Sequence, residues 1–258
     1  MKKAPPYRLS SVDNALVLAT VLRTEGSLSV TEAARRLGVA PSTAHRLLSM
    51  LVYRDFAVQD SSRQYRPGPA FSLDEHRGLG TGLLRELANP HLEALARRTA
   101  ESVNLVVRVG EFVHFIASWE STQPLRVGSR EGMTFPAHLT SGGLALLAEL
   151  SDAQVRDLSS AQRWAGREED RPELVRLQRE LAGVRRTGAA VQRNRSEAGV
   201  TAVGVSLGQT GLTPAAVSVS MPTLRYDPTN VDDWLRELRS TVADVRSSIQ
   251  HELALRSP

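Results

Sequence analysis

The stretch Ser29-Val30-Thr31-Glu32-Ala33-Ala34-Arg35-Arg36-Leu37-Gly38-Val39-Ala40-Pro41-Ser42-Thr43-Ala44-His45-Arg46-Leu47-Leu48 decides the reading of this chain. Ser29, with Glu32 three residues on, has the S-x-x-E form of a capping box, opening a helix whose apolar side is Ala33, Ala34 and Leu37. Gly38 stands where a helix ends in left-handed geometry, and Pro41 fits the first turn of the next one. That next helix buries Ala44, Leu47, Leu48 and Leu51 at i, i+3, i+4 and i+7, so Ser42, Thr43, His45, Arg46 and Ser49 face solvent. Two short helices joined by a tight glycine turn, the second polar and cationic on its outer face, have the form of a helix-turn-helix.

Upstream, Val12, Ala15, Leu16, Ala19 and Leu22 recur at helical spacing behind Ser10 and Ser11, which predicts a capped first helix. Downstream, residues 56–60 alternate, Ser61-Ser62-Arg63 is turn-like, Gln64-Tyr65-Arg66 is a short return strand and Pro67-Gly68-Pro69 closes the unit. The hairpin makes the helix-turn-helix winged. A helix fits the major groove of duplex DNA, where hydroxyls and His can bond base edges and Arg can grip guanine bidentately. The expected DNA contacts are therefore Ser42, Thr43, His45 and Arg46 on the reading helix, with Arg35, Arg36, Arg63, Tyr65 and Arg66 toward the backbone, where phosphate neutralisation positions a protein without reading sequence. The plainer reading is a small interaction domain with solvated arginines and a Ser42 that only caps its helix.

The 258 residues carry 32 Lys+Arg and 28 Asp+Glu, a formal excess of +4. Residues 1–80 hold 11 basic and 7 acidic side chains, leaving 21 of each beyond them, so the positive excess sits in the first third, and six of those eleven basic residues lie between Arg35 and Arg66. The length favours two domains. A chain 23% charged and 41% hydrophobic is ordinary for a globular protein. Apolar runs such as residues 144–148 fall far short of the ~18–20 residues of a membrane span. The start, Met1-Lys2-Lys3-Ala4-Pro5-Pro6, has no apolar stretch of a secretory signal behind it, and the absence of Cys excludes disulfides and thiolate metal sites, so a cytoplasmic home is expected.

The expected organisation is residues 1–68 as the winged helix-turn-helix, 69–82 as a linker with a helical segment around 71–76, and 83–258 as a second domain. In the latter, periodicity predicts a helix at 83–99, strands at 103–109 and 112–118, a Gly-rich turn at Ser141-Gly142-Gly143 before a helix at 144–150, a polar zone at 151–171, a helix at 172–186, strands at 200–207 and 215–221, and a helix at 231–255. Strands mixed with segregated helices make this an α+β protein.

Several stretches carry a family resemblance: Ser11-Val12-Asp13-Asn14-Ala15-Leu16, residues 28–38, Ser42-Thr43-Ala44-His45-Arg46-Leu47-Leu48 and Gln64-Tyr65-Arg66-Pro67-Gly68, then Pro124-Leu125-Arg126-Val127-Gly128-Ser129, residues 138–148, Glu197-Ala198-Gly199-Val200 and Ala216-Val217-Ser218-Val219-Ser220. In this order they resemble the IclR family of bacterial transcriptional regulators over nearly the whole chain. The resemblance implies a winged helix joined through a linker helix to a GAF-like α/β effector-binding domain with a curved antiparallel sheet. It also implies homodimers, commonly paired into tetramers, on palindromic double-stranded operator DNA. The chain departs from the family at three places: Pro41 stands where a basic residue usually precedes the Ser-Thr pair, Leu144 replaces a basic residue after the Gly-rich turn, and Ala202 replaces a frequent cysteine.

For a small organic acid effector, the backbone N–H groups of Ser141, Gly142 and Gly143 at a helix start suit a carboxylate. Ser218 and Ser220, two apart on a strand, share one face. By the resemblance, Val127, Phe135, Gln192, Val200 and Ala202 complete the wall. Ala202 and Gly142 leave space, Phe135 offers an aromatic surface and Leu144 removes a charge, which together favour a hydroxylated or aromatic carboxylate over a sugar acid. Against this stand the plainer roles of the two glycines in a tight turn, of the serines on a solvated face and of His138 as a structural histidine. No cofactor is implied. A catalytic second domain built on His114, His138, Glu120, Glu197 and Ser141 lacks any spacing that joins them, and G-x-S-x-G, H-E-x-x-H and nucleotide-loop patterns are absent. A ligand-independent architectural DNA binder is the other alternative.

Overall fold

The computed structural model describes residues 9–54, 56–60, 62–72 and 80–256. The chain divides into two compact units, Met1–Glu75 with Trp164–Glu169, and His76–Arg163 with Asp170–Pro258. The short segment 164–169 thus groups with the first unit although it lies within the stretch read as the second domain.

The first unit is built from α1 (Ser10–Glu25), α2 (Val30–Leu37), α3 (Pro41–Tyr53), the antiparallel pair β1 (Ala57–Gln59) and β2 (Tyr65–Pro67), and a single turn, α4 (Pro69–Ser72). Its core joins Leu18 and Leu22 of α1, Ala33 and Ala34 of α2, Ala44, Leu48 and Leu51 of α3, and Ala57 and Tyr65 of the hairpin. The expected face of α1 is corrected: Leu18, Ala19 and Leu22 point inward, whereas Val12 and Leu16 are exposed. Two overlapping apolar stripes run along this helix, so periodicity alone could not choose between them. Its cap is also corrected. Ser10 is already helical, Leu9 holds the N-cap position, and no side chain caps the end. At α2, the Ser29 hydroxyl accepts from the Glu32 N–H at 3.2 Å as expected. Gly38 ends the helix at φ 64°, and its successor α3 opens on Pro41. The linker helix expected around residues 71–76 lies largely outside the described residues; of it, α4 covers Phe71 and Ser72.

The second unit is a three-layer α+β arrangement. Its elements are α5 (Gly80–Thr99), β3 (Ser102–Val109), β4 (Phe112–Trp119), β5 (Thr134–Pro136), α6 (Ser141–Leu147), α7 (Asp152–Leu158), α8 (Leu174–Thr187), β6 (Ala190–Arg193), β7 (Val200–Ser206), β8 (Ala215–Pro222) and α9 (Val231–Arg256). The six strands form one antiparallel sheet in the order β5-β4-β3-β8-β7-β6. A register shift at Leu105/Val106, where β3 meets β4, breaks the ladder as a bulge that bends the sheet.

Strand alternation assigns the two faces. Val103, Leu105, Val203, Val205, Val217, Val219 and Met221 pack with Leu84, Leu92 and Leu95 of α5 and Leu238, Val242 and Val245 of α9. Val106, Phe115, Ala190 and Ala216 look the other way and pack with Leu144–Leu147 of α6 and Leu177, Leu181 and Val184 of α8. Helix α5 begins at Gly80, ahead of the expected start, and takes in residues read as linker. The polar zone at 151–171 contains α7, opened by a full capping box between Ser151 and Gln154. The edge strands β5 and β6 went unread because three or four residues give too little alternation to register.

Helix α6 approaches the sheet closely, and its glycines make that possible. A Cβ on Gly143 would lie 2.1 Å from the Ala137 carbonyl oxygen, and one on Gly204 of β7 would lie 2.7 Å from the Gly142 nitrogen. Gly143→Ala should therefore lower the unfolding midpoint in a thermal or denaturant melt well beyond the usual single-substitution effect of about 1 kcal/mol. Gly183→Ala, inside α8 with nothing within 4 Å of the new methyl, should raise stability by about 0.5–1 kcal/mol. Equal effects at the two sites would contradict the steric account.

Candidate functional site

On the first unit, Ser42, Thr43, His45, Arg46 and Ser49 all lie exposed along α3. The N-cap of α3 is Ala40, with no side-chain cap bond, so the Ser42 hydroxyl is not consumed by the helix end. No hydrogen bond or ion pair engages Arg46 among the described residues. The Ser49 hydroxyl donates to the His45 carbonyl at 2.9 Å, so Ser42, Thr43, His45 and Arg46 are the donor-bearing or cationic groups that share the exposed face, the arrangement needed to meet base edges.

The backbone-contact set divides. Arg35 is exposed, with only a 3.7 Å approach to Glu32. Arg36 is held inside the unit: its guanidinium bonds Glu25 of α1 at 2.5 and 2.7 Å and Glu32 at 2.6 Å, tying α1 to α2. Glu32 therefore turns to Arg36, leaving the Ser29–Glu32 cap one-sided. Tyr65 is corrected: its ring is 1% exposed in the core, and burial raises its hydroxyl pKa. Its side chain is therefore part of the core and is not presented on the surface. On the wing, Asp60 accepts from the N–H groups of Ser62 and Gln64 at 3.0 Å and from Arg66 at 2.7 Å. The Ser62 hydroxyl and then Arg66 hold this carboxyl well below the usual carboxylate range. Arg63 adopts φ 59° at the turn. Arg63 and Arg66 both remain exposed.

On the second unit, Ser218 and Ser220 are buried on the sheet face that carries Ala216, and not on a solvated outer face. Register sets Ser220 beside Ala202, and Ala202 beside Gln192. A polar chain crosses three strands here: the Ser118 hydroxyl donates to Asn104 Oδ1 at 2.8 Å, and Asn104 Nδ2 donates to Ser220 at 3.2 Å. Gln192 Nε2 is buried without a hydrogen-bond partner among the described residues. Sequence reasoning missed Asn104 and Ser118. A lone Asn within Val103-Asn104-Leu105-Val106-Val107 was the available signal, since a buried amide must find partners.

Ser141, Gly142 and Gly143 stand at a helix start as expected, but inside the helix by one turn. They are not a turn ahead of a helix but the first three residues of α6. Thr140 Oγ1 accepts from the Gly143 N–H at 3.0 Å, so that donor is already satisfied. One open cavity lies along residues 125–133: about 370 Å³, walled by Leu125, Val127, Arg130, Met133, Glu197 and Val200 among others, within the roughly 300–1,000 Å³ range of small-molecule sites; another, of about 500 Å³, lies beside His138, Arg171 and Arg195. Of the expected wall residues, Val127 and Val200 line the first, and Phe135 adjoins it through Arg130. The Arg130 guanidinium lies 5.9 Å from the Phe115 ring centre and 5.6 Å from that of Phe135, whose rings meet edge to face. Arg130 Nη2 donates to Glu197 Oε2 at 2.5 Å.

The imagined acid–base set is dispersed into separate contacts. His114 Nδ1 meets the Thr134 hydroxyl at 2.8 Å, Glu120 pairs with Arg126, and Glu197 pairs with Arg130. Burial lowers the pKa of His114 to about 4, and burial followed by the charge of Arg195 does the same for His138. No group of three or more His, Asp or Glu able to hold a metal ion occurs among the described residues, and no described helix is long and apolar enough to cross a membrane.

With this geometry in hand, comparison with known proteins defines the class. Residues 78–247 match the bacterial transcriptional regulator IclR C-terminal domain and residues 11–61 the IclR helix-turn-helix domain. The chain belongs to the IclR family of DNA-binding transcriptional regulators. It is 28% identical over 220 residues to the HTH-type transcriptional regulator BhcR of Paracoccus denitrificans, spanning 84% of this chain and 79% of that one. It is 32% identical over 205 residues to the HTH-type transcriptional regulator Rv1719 of Mycobacterium tuberculosis, spanning 78% and 77%. Among solved structures, an IclR homolog from Microbacterium hydrocarbonoxydans complexed with 4-hydroxybenzoate has a TM-score of 0.60 at 23% identity, covering 94% of this chain and 99% of the other.

The two buried histidines bring a testable pH dependence. Below their ordinary value near 6.5, the unfolded chain takes up protons that the folded rings refuse until about pH 4. Stability is therefore full at neutral pH and falls as pH drops through that window. Denaturant melts at pH 7 and pH 5 should show the loss, with His114→Gln and His138→Gln flattening it. Carboxylates contribute little between those values, so an unchanged midpoint would contradict the burial of neutral rings.

Proposed function

We propose that the chain reads double-stranded operator DNA with α3 and adjusts its operator affinity in response to a small carboxylate, hydroxylated or aromatic, bound in the second unit. The observation that carries the DNA half is the free Ser42–Arg46 face of α3. The sensor half is supported by the cavity at residues 125–133, which combines apolar walls with a buried guanidinium, and by the polar chain through Asn104, Ser118 and Ser220 on the same sheet. The 4-hydroxybenzoate held by the Microbacterium homolog agrees with that ligand chemistry. The same reading makes it a cytoplasmic regulator and not an enzyme, since His114, Glu120 and Glu197 are each engaged in a separate contact.

Self-association as a homodimer, and as a tetramer of such dimers, completes the reading. Leu9 at the N-cap and Val12 and Leu16 of α1 leave an apolar stripe exposed, of the kind that marks protein contacts. Two-fold pairing suits palindromic DNA, because one small reading head makes few base contacts and two heads double them. Coupling between ligand and operator follows from differential affinity: an acid that binds one state of the dimer better shifts the population toward it.

A duplex selected from a random library by the full-length protein supplies the assay. Titrated across a panel of small carboxylic acids, at least one should change operator affinity by fivefold or more, and Arg46→Ala should weaken binding by about 1–3 kcal/mol. If no acid moves the affinity, the sensor half fails. An unchanged affinity in the Arg46 variant removes that residue from the reading face.

A further inference from the structure

We propose that Arg130 is the anchor for the ligand's carboxylate and that Glu197 competes with the ligand for it. This rests on the sensor reading above and assigns the charge recognition within that site to one ion pair.

Three features single out Arg130. Its side chain is 5% exposed although it carries a full charge, and a buried cation requires an anionic or hydrogen-bonding partner. Its position is fixed by its surroundings: the Arg130 N–H donates to the Ser118 hydroxyl, its carbonyl accepts from Met133 at 2.9 Å, and the Phe115 and Phe135 rings flank the guanidinium. Those rings hold the cation by its attraction to their π faces whether or not a carboxylate is bonded to it. Finally, it lines the cavity beside Arg126, whose charge Glu120 already pairs at 2.9 Å, so Arg130 is the cation that an incoming carboxylate gains when Glu197 lets go.

Glu197 is unlike its partner. Its side chain is 43% exposed, and it sits in the connection between β6 and β7. That connection is secured independently. Asn194 Oδ1 accepts from the Gly199 N–H at 2.9 Å and from the Thr223 hydroxyl at 3.0 Å, and Arg195 bonds Glu180 of α8 at 2.5 and 2.6 Å. Letting go of Arg130 would return a half-hydrated carboxylate to water without dismantling the turn. A planar ligand carboxylate can meet a guanidinium with two parallel hydrogen bonds, a stronger geometry than one Nη2–Oε2 bond. The ligand's apolar or aromatic body would then lie against Val127, Met133 and Val200. The class this selects is a monocarboxylate with an apolar or aromatic body, and its uncharged amide is rejected.

Calorimetric titration of the full-length protein with benzoate and benzamide tests this. Benzoate should bind and benzamide should not over the same concentration range. Glu197→Gln, at a half-exposed site that need not disturb folding, should tighten benzoate at least fivefold by removing the competitor, and Arg130→Gln should abolish binding. Unchanged or weaker benzoate binding in the Glu197 variant overturns the proposal, as does retained binding in a folded Arg130 variant or no benzoate binding to either wild type or Glu197→Gln. Should Arg130→Gln fail to fold, the Glu197 variant decides. An acid that shifts operator affinity equally in wild type and Glu197→Gln sinks the Arg130 assignment and leaves the sensor reading standing, whereas the absence of any effect across the acid panel sinks the sensor reading itself.

Discussion

The second unit depends on the alternation along β8, Ala215–Pro222. This strand lies between β3 and β7 and is buried on both faces, so every side chain on it must be satisfied by one layer or the other. Val217, Val219 and Met221 close one core with α5 and α9. Ala216, Ser218 and Ser220 look the opposite way, toward α6 and α8, and there the two hydroxyls stand with the buried amides of Asn104 and Gln192 against apolar helices. A one-residue slip would put those hydroxyls into the α5/α9 core and a valine row into the polar layer. The strand that organises the fold therefore also determines which face can hold polar recognition.

That division explains why the close packing of α6 and the cavity are different things. The start of α6 rests against Gly204 and Ala137 so tightly that no side chain fits between them. Its glycines act by absence of volume, and the Gly143 N–H is already taken by Thr140. The cavity instead gathers where the sheet gives way to the residue 125–133 connection and the β6–β7 turn, and its charge comes from Arg130, a long side chain brought in from outside the sheet.

Most of the first unit was legible because its signals are local. Ser29, Gly38 and Pro41 each act on the few residues beside them, and the outer face of α3 followed from the spacing of Ala44, Leu48 and Leu51. Tyr65 was misplaced for an avoidable reason: neighbours on a strand point to opposite faces, so Arg66 outward already implied Tyr65 inward. The role of Arg36 was hidden, since Glu25 lies eleven residues away on another helix. In the second unit the strand pair β3–β4 and the final helix could be read from pattern, and Val127 and Val200 were named from family resemblance. The pairing of Arg130 with Glu197 spans 67 positions and leaves no trace in periodicity. It needs the sheet order before it can be seen.

The central claim is that operator DNA and a small acid bind the same protein with linked free energies. The most direct measurement is a closed cycle on the full-length protein: affinity for the selected duplex with and without saturating acid, and affinity for the acid with and without saturating duplex. Linkage requires the two ratios to agree, and the account predicts a common factor of at least fivefold. A common factor of one would mean that the second unit binds its acid without informing the reading head, and would contradict the account.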